Sequence, residues 1–224
     1  MAKDKLDREM AMPNDWRMTV YDADLSSGPV ELPGEAHYFV YAQQTSAFLE
    51  NGGSEVEIQL GDGAFRKDRT HIRGTGVVWV YEVGPQGREF LKDPAVSIVL
   101  SKRVAFDFGP PWLLRADRVE SQSGSVTPRH GHRGPGMRRL THGRLLAEVG
   151  DQFERIEAGQ AWLETGRDPV IGTNINSGSS AFVRVMVLPI ELEGGKTSFM
   201  PTTPEDATKP RAVTYRLFGE VVAK

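Results

Sequence analysis

Residues 124–143 read GSVTPRHGHRGPGMRRLTHG and hold three of the chain's five histidines. His130 and His132 stand two positions apart. On a strand, side chains at that spacing share a face, so both imidazoles would project together as adjacent ligands of one cation or as groups that move protons. The chain has no cysteine, which removes disulfides, thiolate metal sites and cysteine nucleophiles together. A metal would have to be held by His, Asp or Glu.

The rest of the chain reads as strands joined by tight turns. Short apolar runs such as Tyr38 to Ala42, Val56 to Leu60, Val77 to Val83, Ser97 to Leu100 and Ala181 to Leu188 are separated by turn formers such as Asn51-Gly52-Gly53 and Gly61-Asp62-Gly63. Helical periodicity is scarce. The two halves share a grammar. Val77 to Pro85 (VVWVYEVGP) resembles Ala181 to Pro189 (AFVRVMVLP), and Leu60 to Phe65 resembles Glu157 to Trp162, at a spacing close to half the chain. This pattern predicts two copies of one β unit. Their boundary is expected between Ser101 and Gly124, where Gly109-Pro110-Pro111 interrupts the pattern.

Within this frame, residues 124–143 resemble the first sequence motif of the cupins: a Gly, five residues, His-X-His, three or four residues, a Glu, six residues and a Gly. Gly124, His130, His132 and Gly143 fall at that spacing, whereas Gly136 or Met137 occupies the Glu position. Gly150 to Trp162 is similar to the second motif. Gly159 matches, but Glu157 stands where Pro is usual and Trp162 where a third His is usual. The resemblance implies an all-β fold of two cupin-type jelly-roll barrels in tandem, a bicupin, with an extended C-terminal tail. The divisions expected are an N-terminal arm (1–16), a first barrel without a metal motif (17–105), a second barrel carrying His-X-His (106–190) and a C-terminal extension packing on the body (191–224). It also implies a barrel mouth that often holds a divalent metal, here Fe, Mn, Ni or Zn.

Strand alternation puts Glu164 on the face of Trp162, so its carboxylate would complete a set of His130, His132 and Glu164. The opposing reading is a degenerate site, in which the histidines bond to neighbouring groups and Trp162 fills the metal's space. Arg138 counts onto the inward face and could bind a carboxylate or phosphate with both arms of its fork. Its bland alternative is an exterior ion pair with Glu148 or Asp151. Met137 and Trp162 join Arg138 as candidate ligand contacts. Arg139, Arg144 and His142 are expected at the surface, and Trp79 and Phe65 in the core.

At 224 residues, with 39% hydrophobic residues, 25% charged residues and a net charge of -3, the composition is that of an ordinary globular protein. Nothing in it asks for nucleic acid or a membrane, and no apolar run approaches the roughly 18 residues of a span. The charged N-terminus lacks a signal-like apolar segment, so the expected compartment is the cytoplasm. Two functions follow as expectations. One is a metal-dependent dioxygenase, isomerase or decarboxylase acting on a small organic anion. The other is a metal-free module that binds a small metabolite as sensor or carrier. A homodimer is the expected assembly.

Overall fold

The structure, a computed structural model, describes residues 15–223. Most of the expected N-terminal arm therefore lies outside the described residues. The first unit comprises β1 (Trp16–Asp24), β2 (Val30–Leu32), β3 (His37–Tyr41), β4 (Ala47–Asn51), β5 (Ser54–Ile58), β6 (Gly63–Arg66), β7 (Thr70–Gly74), β8 (Val77–Pro85) and β9 (Val96–Val104). The second comprises β10 (Trp112–Ser121), β11 (His130–His132), β12 (Gly136–His142), β13 (Arg144–Val149), β14 (Gln152–Glu157), β15 (Ala161–Glu164), β16 (Val170–Asn174) and β17 (Ser180–Pro189). Beyond it come β18 (Phe199–Pro201), the short helix α1 (Pro204–Thr208) and β19 (Val213–Ala223). Among the described residues no helix is long and apolar enough to cross a membrane.

The strands form four antiparallel sheets with a repeated order. In the first unit β6-β3-β8-β1-β9 faces β2-β7-β4-β5; in the second β15-β12-β17-β10-β19 faces β14-β13-β16-β11-β18. Apart from one added edge strand, β18, the order repeats, so the internal similarity read from the sequence is a repeat of topology as well. The C-terminal extension is woven into the second unit. Its β18 pairs with β11, and its β19 pairs with β10 along the full strand.

The near-continuous apolar runs have a simple cause. The sheets β6-β3-β8-β1-β9 and β15-β12-β17-β10-β19 pack back to back, so their central strands are buried on both faces. One face closes each unit's own interior. The other forms a shared core in which Met18, Phe39 and Tyr81 of the first unit meet Leu114, Met137 and Val185 of the second. The Tyr81 hydroxyl donates to the Val183 carbonyl at 3.2 Å across this boundary. Outer strands such as β5 are mostly exposed and alternate with charge.

Arg139 corrects its expected surface position. It is buried, its guanidinium lies 4.2 Å over the Trp79 ring, and it donates to both carboxylate oxygens of Asp22 at 2.7 and 3.0 Å. The residue sits one position out of phase with Arg138, and a sheet covered on both faces has no solvent side for it to reach. Two turns explain their glycines. Gly52 and Gly53, at φ 55 and 89, close the β4–β5 hairpin in the left-handed region that its two-residue loop demands. At Gly143, the last residue of the His-X-His motif, φ is 86 and a Cβ would fall 2.1 Å from Ser180 Oγ.

Candidate functional site

Pairing register aligns the two units residue by residue. Val40 lies opposite Val80 and Ala64 in the first unit, as Arg138 lies opposite Arg184 and Trp162 in the second. Tyr21 lies opposite Val80 as Asp117 lies opposite Arg184, and Leu32 opposite Thr70 as His130 lies opposite Val170. The first interior is thus packed with Leu32, Val40, Val80 and Tyr21, all buried in one apolar cluster. At the same places the second unit carries His130, Arg138, Arg184 and Asp117. These polar side chains cannot interdigitate as aliphatic ones do, and a cavity of about 190 Å³ remains between its sheets.

Strand β11 delivers His130 and His132 to one buried face, as their spacing predicts. The His130 Nδ1–H donates to the Pro128 carbonyl at 2.7 Å, which leaves Nε2 as an unprotonated acceptor with no protein partner among the described residues. Its ring stands edge-to-face with His132 at 4.9 Å and stacks on Phe199 at 4.5 Å. Burial lowers the pKa of both histidines, that of His132 to about 3, and outweighs the opposing pull of Glu164. Both rings are neutral at physiological pH.

Glu164 arrives from β15, the edge strand of the facing sheet. Trp162 Nε1–H donates to its Oε1 at 3.0 Å, so Trp162 anchors the carboxylate from two residues away. The other oxygen, Oε2, lies 2.5 Å from Arg138 Nη2 and 3.4 Å from His132 Nε2. Burial alone would raise the Glu164 pKa; the Arg138 guanidinium, with His132 and Trp162, overrides it and holds the carboxyl well below the usual range. Arg138 is fully buried, and burial brings its own pKa down to about 10. The Arg138–Glu164 contact is close in distance but poorly aligned. Arg138 Nη2 and Glu164 Oε2 both remain without a hydrogen-bond partner of good geometry.

A second ion pair lies alongside. Arg184 donates to both oxygens of Asp117 at 2.6 and 3.1 Å. At the far wall Arg115 meets Glu220 at 2.6 Å.

The structure thus brings His130, His132, Glu164, Arg138 and Trp162 together. Arg138 is on the inward face and makes neither of the exterior pairs considered for it. Met137 is the exception and is corrected here: it lies one residue out of phase and packs in the core between the units, away from the cavity. His142 is half-buried beside Ser179, with Nε2 to Oγ at 3.3 Å. Sequence reasoning expected the extension to pack on the body but missed Asp117, Arg184 and the extension's place in the cavity wall, where Ser198, Phe199, Arg211 and Tyr215 lie. A charge in the middle of an apolar strand was the available signal for Asp117 (WLLRADRV) and Arg184 (AFVRVMVL). Local sequence carries none for the extension.

These residues do not fit a divalent cation. The site offers two neutral imidazoles and one carboxylate whose charge Arg138 already balances. A metal on Glu164 Oε2 would stand against a buried guanidinium in a medium of low dielectric constant. Asp117 is held by Arg184, and among the described residues no group of three or more His, Asp or Glu side chains is arranged to hold a metal ion.

No sequence-family model matches the chain, and no curated protein matches it in sequence. Solved structures do match. An oxalate decarboxylase of Lactobacillus farciminis, in a formate complex, aligns over 91% of this chain and 84% of its own with 13% identity and a TM-score of 0.57. A cupin 2 conserved barrel domain protein of Leptotrichia buccalis aligns over 79% and 85% with 11% identity and a TM-score of 0.51. The oxalate decarboxylase of Bacillus subtilis, described for its Mn(II) centres, aligns over 82% and 73% with 10% identity and a TM-score of 0.52. Likeness at such identities is likeness of fold, and it agrees with the doubled strand order and the motif spacing: the chain is, in fold, a bicupin.

Proposed function

We propose that the second unit is a metal-independent binding pocket for a small organic molecule, and that the chain works as a sensor or carrier of that molecule. The observation that carries this reading is the centre of the cavity. There Arg138 and His132 converge on the Glu164 carboxylate, and two buried polar atoms, Arg138 Nη2 and Glu164 Oε2, lack aligned partners. Unmatched groups of this kind are costly in a folded chain. A hydroxyl or carboxamide of a ligand would satisfy both, accepting from the guanidinium and donating to the carboxylate. His130 Nε2 adds an acceptor nearby. The metal-dependent reading draws on the likeness to a manganese-containing decarboxylase, and the Arg138 charge opposes it.

The test is a thermal-shift screen of small alcohols, hydroxy acids and carboxamides against the wild type and Ala147→Leu, a substitution that fills the cavity from β13. Stabilisation of the wild type alone is the expected result. About one equivalent of transition metal in protein purified without a chelating column, lost in His130→Ala, would overturn the reading in favour of a metal enzyme.

A further inference from the structure

The mouth of the cavity is built by the C-terminal extension. Thr197 and Phe199, in and just before β18, line it together with Arg211, Val213, Tyr215 and Leu217, in and just before β19. Three of the arginines around the cavity are matched by carboxylates: Arg115 by Glu220, Arg138 by Glu164 and Arg184 by Asp117. Arg211 is not. Among the described residues it has no carboxylate within ion-pair distance, and its one side-chain hydrogen bond is a long one to Thr197 Oγ1, 3.3 Å.

Its position is nevertheless built. The Arg211 guanidinium lies 4.3 Å over the Phe199 ring, and the same ring stacks on His130 at 4.5 Å. Two groups cannot share one ring face at those distances, so Phe199 is the middle layer between an imidazole inside and a guanidinium outside. The next residue, Ala212, has φ 57, the left-handed region that a residue with a Cβ seldom enters. That turn sets where β19 begins and so where Arg211 leaves the backbone. Beside it, Tyr215 and Leu217 are 62% and 41% exposed, an apolar surface on the rim.

We infer that Arg211 is the anion anchor of this cavity and that its ligand is a small carboxylate with an apolar body. The carboxylate pairs with Arg211, and the body lies along Val213, Tyr215 and Leu217 toward the polar centre. This inference rests on the binding reading above and adds the ligand's charge and direction.

The test compares 4-hydroxyphenylacetate and 6-hydroxyhexanoate with their neutral methyl esters, which keep the hydroxyl for the polar centre, by calorimetry or NMR titration at pH 7.5. The acids should bind the wild type at least tenfold more tightly than the esters, and more weakly as salt rises. Arg211→Gln should remove that preference, with Arg211→Lys retaining part of it. Arg211 is exposed, so an unchanged melting profile for Arg211→Gln excludes misfolding as the cause. Equal binding of acids and esters, or full acid affinity in Arg211→Gln, overturns the anchor while leaving the cavity reading intact. No saturable binding of either series overturns both.

Discussion

The Arg138 guanidinium lies 2.5 Å from the Glu164 carboxylate, at the point where His132 also converges. The cation at the centre of this unit is therefore one the chain supplies. Arg138 and Glu164 are buried, so each depends on the other to tolerate loss of water.

That dependence gives the first prediction. Glu164→Gln leaves a buried guanidinium uncompensated, and Arg138→Met leaves a buried carboxylate; each should cost roughly 3–5 kcal/mol. The double variant removes both charges together and should lie within about 1–2 kcal/mol of the wild type. Chemical denaturation of the four proteins checks this. Additive losses would show that the charges do not act as a pair.

Removing the guanidinium should also change metal behaviour. In the wild type, Zn(II), Mn(II) and Ni(II) should leave the melting temperature unchanged. In Arg138→Met, Glu164 regains an unbalanced charge beside His130 and His132, and one of these ions should raise the melting temperature and bind with His130 dependence. Calorimetric titration of both proteins decides it. Tight binding by the wild type contradicts the charge argument.

Stability should fall in mild acid. His37 is buried against Trp112 at 5.5 Å, and burial, aided by Lys67, lowers its pKa to about 4. His132 is lowered to about 3 by burial. Both are neutral in the folded state. The unfolded chain takes up these protons below about 6.5 while the folded chain does not. Their contribution is therefore fully present above pH 6.5 and is lost as the pH falls toward 4 and below. For His37 the loss is on the order of 3 kcal/mol. Denaturant midpoints measured from pH 7 to pH 4 should decline, and His37→Phe should flatten the decline; an unchanged slope in that variant would remove His37 as a source.

The two units should be coupled through Arg139. Its partner Asp22 is about one-third exposed and can return to water, so Arg139→Met should cost only about 1–2 kcal/mol, including the loss of the contact with Trp79. The loss should appear as a lower melting temperature with the single cooperative transition kept, measured by scanning calorimetry. Two separated transitions would show that this pair, rather than the shared apolar core, holds the units together.

The sequence by itself carried the strand-and-turn pattern, the doubling, and the inward pairs His130/His132 and Trp162/Glu164. Each is a local regularity: a two-residue alternation or a repeat visible along the chain. Met137 and Arg139 were misjudged for one shared reason. Alternation shows that they oppose Arg138, but not that the opposite face of their sheet is covered by another sheet. Partner choice was equally out of reach. That Glu164 meets Arg138, that Arg184 takes Asp117, and that Phe199 and Arg211 return from the far end of the chain to close the mouth depend on register between strands distant in sequence. The same holds for the contrast between a packed first unit and an open second one. Matching strands recur in both, and only their pairing shows that aliphatic Val40 and Val80 fill the space that Arg138 and Arg184 leave as a polar cavity.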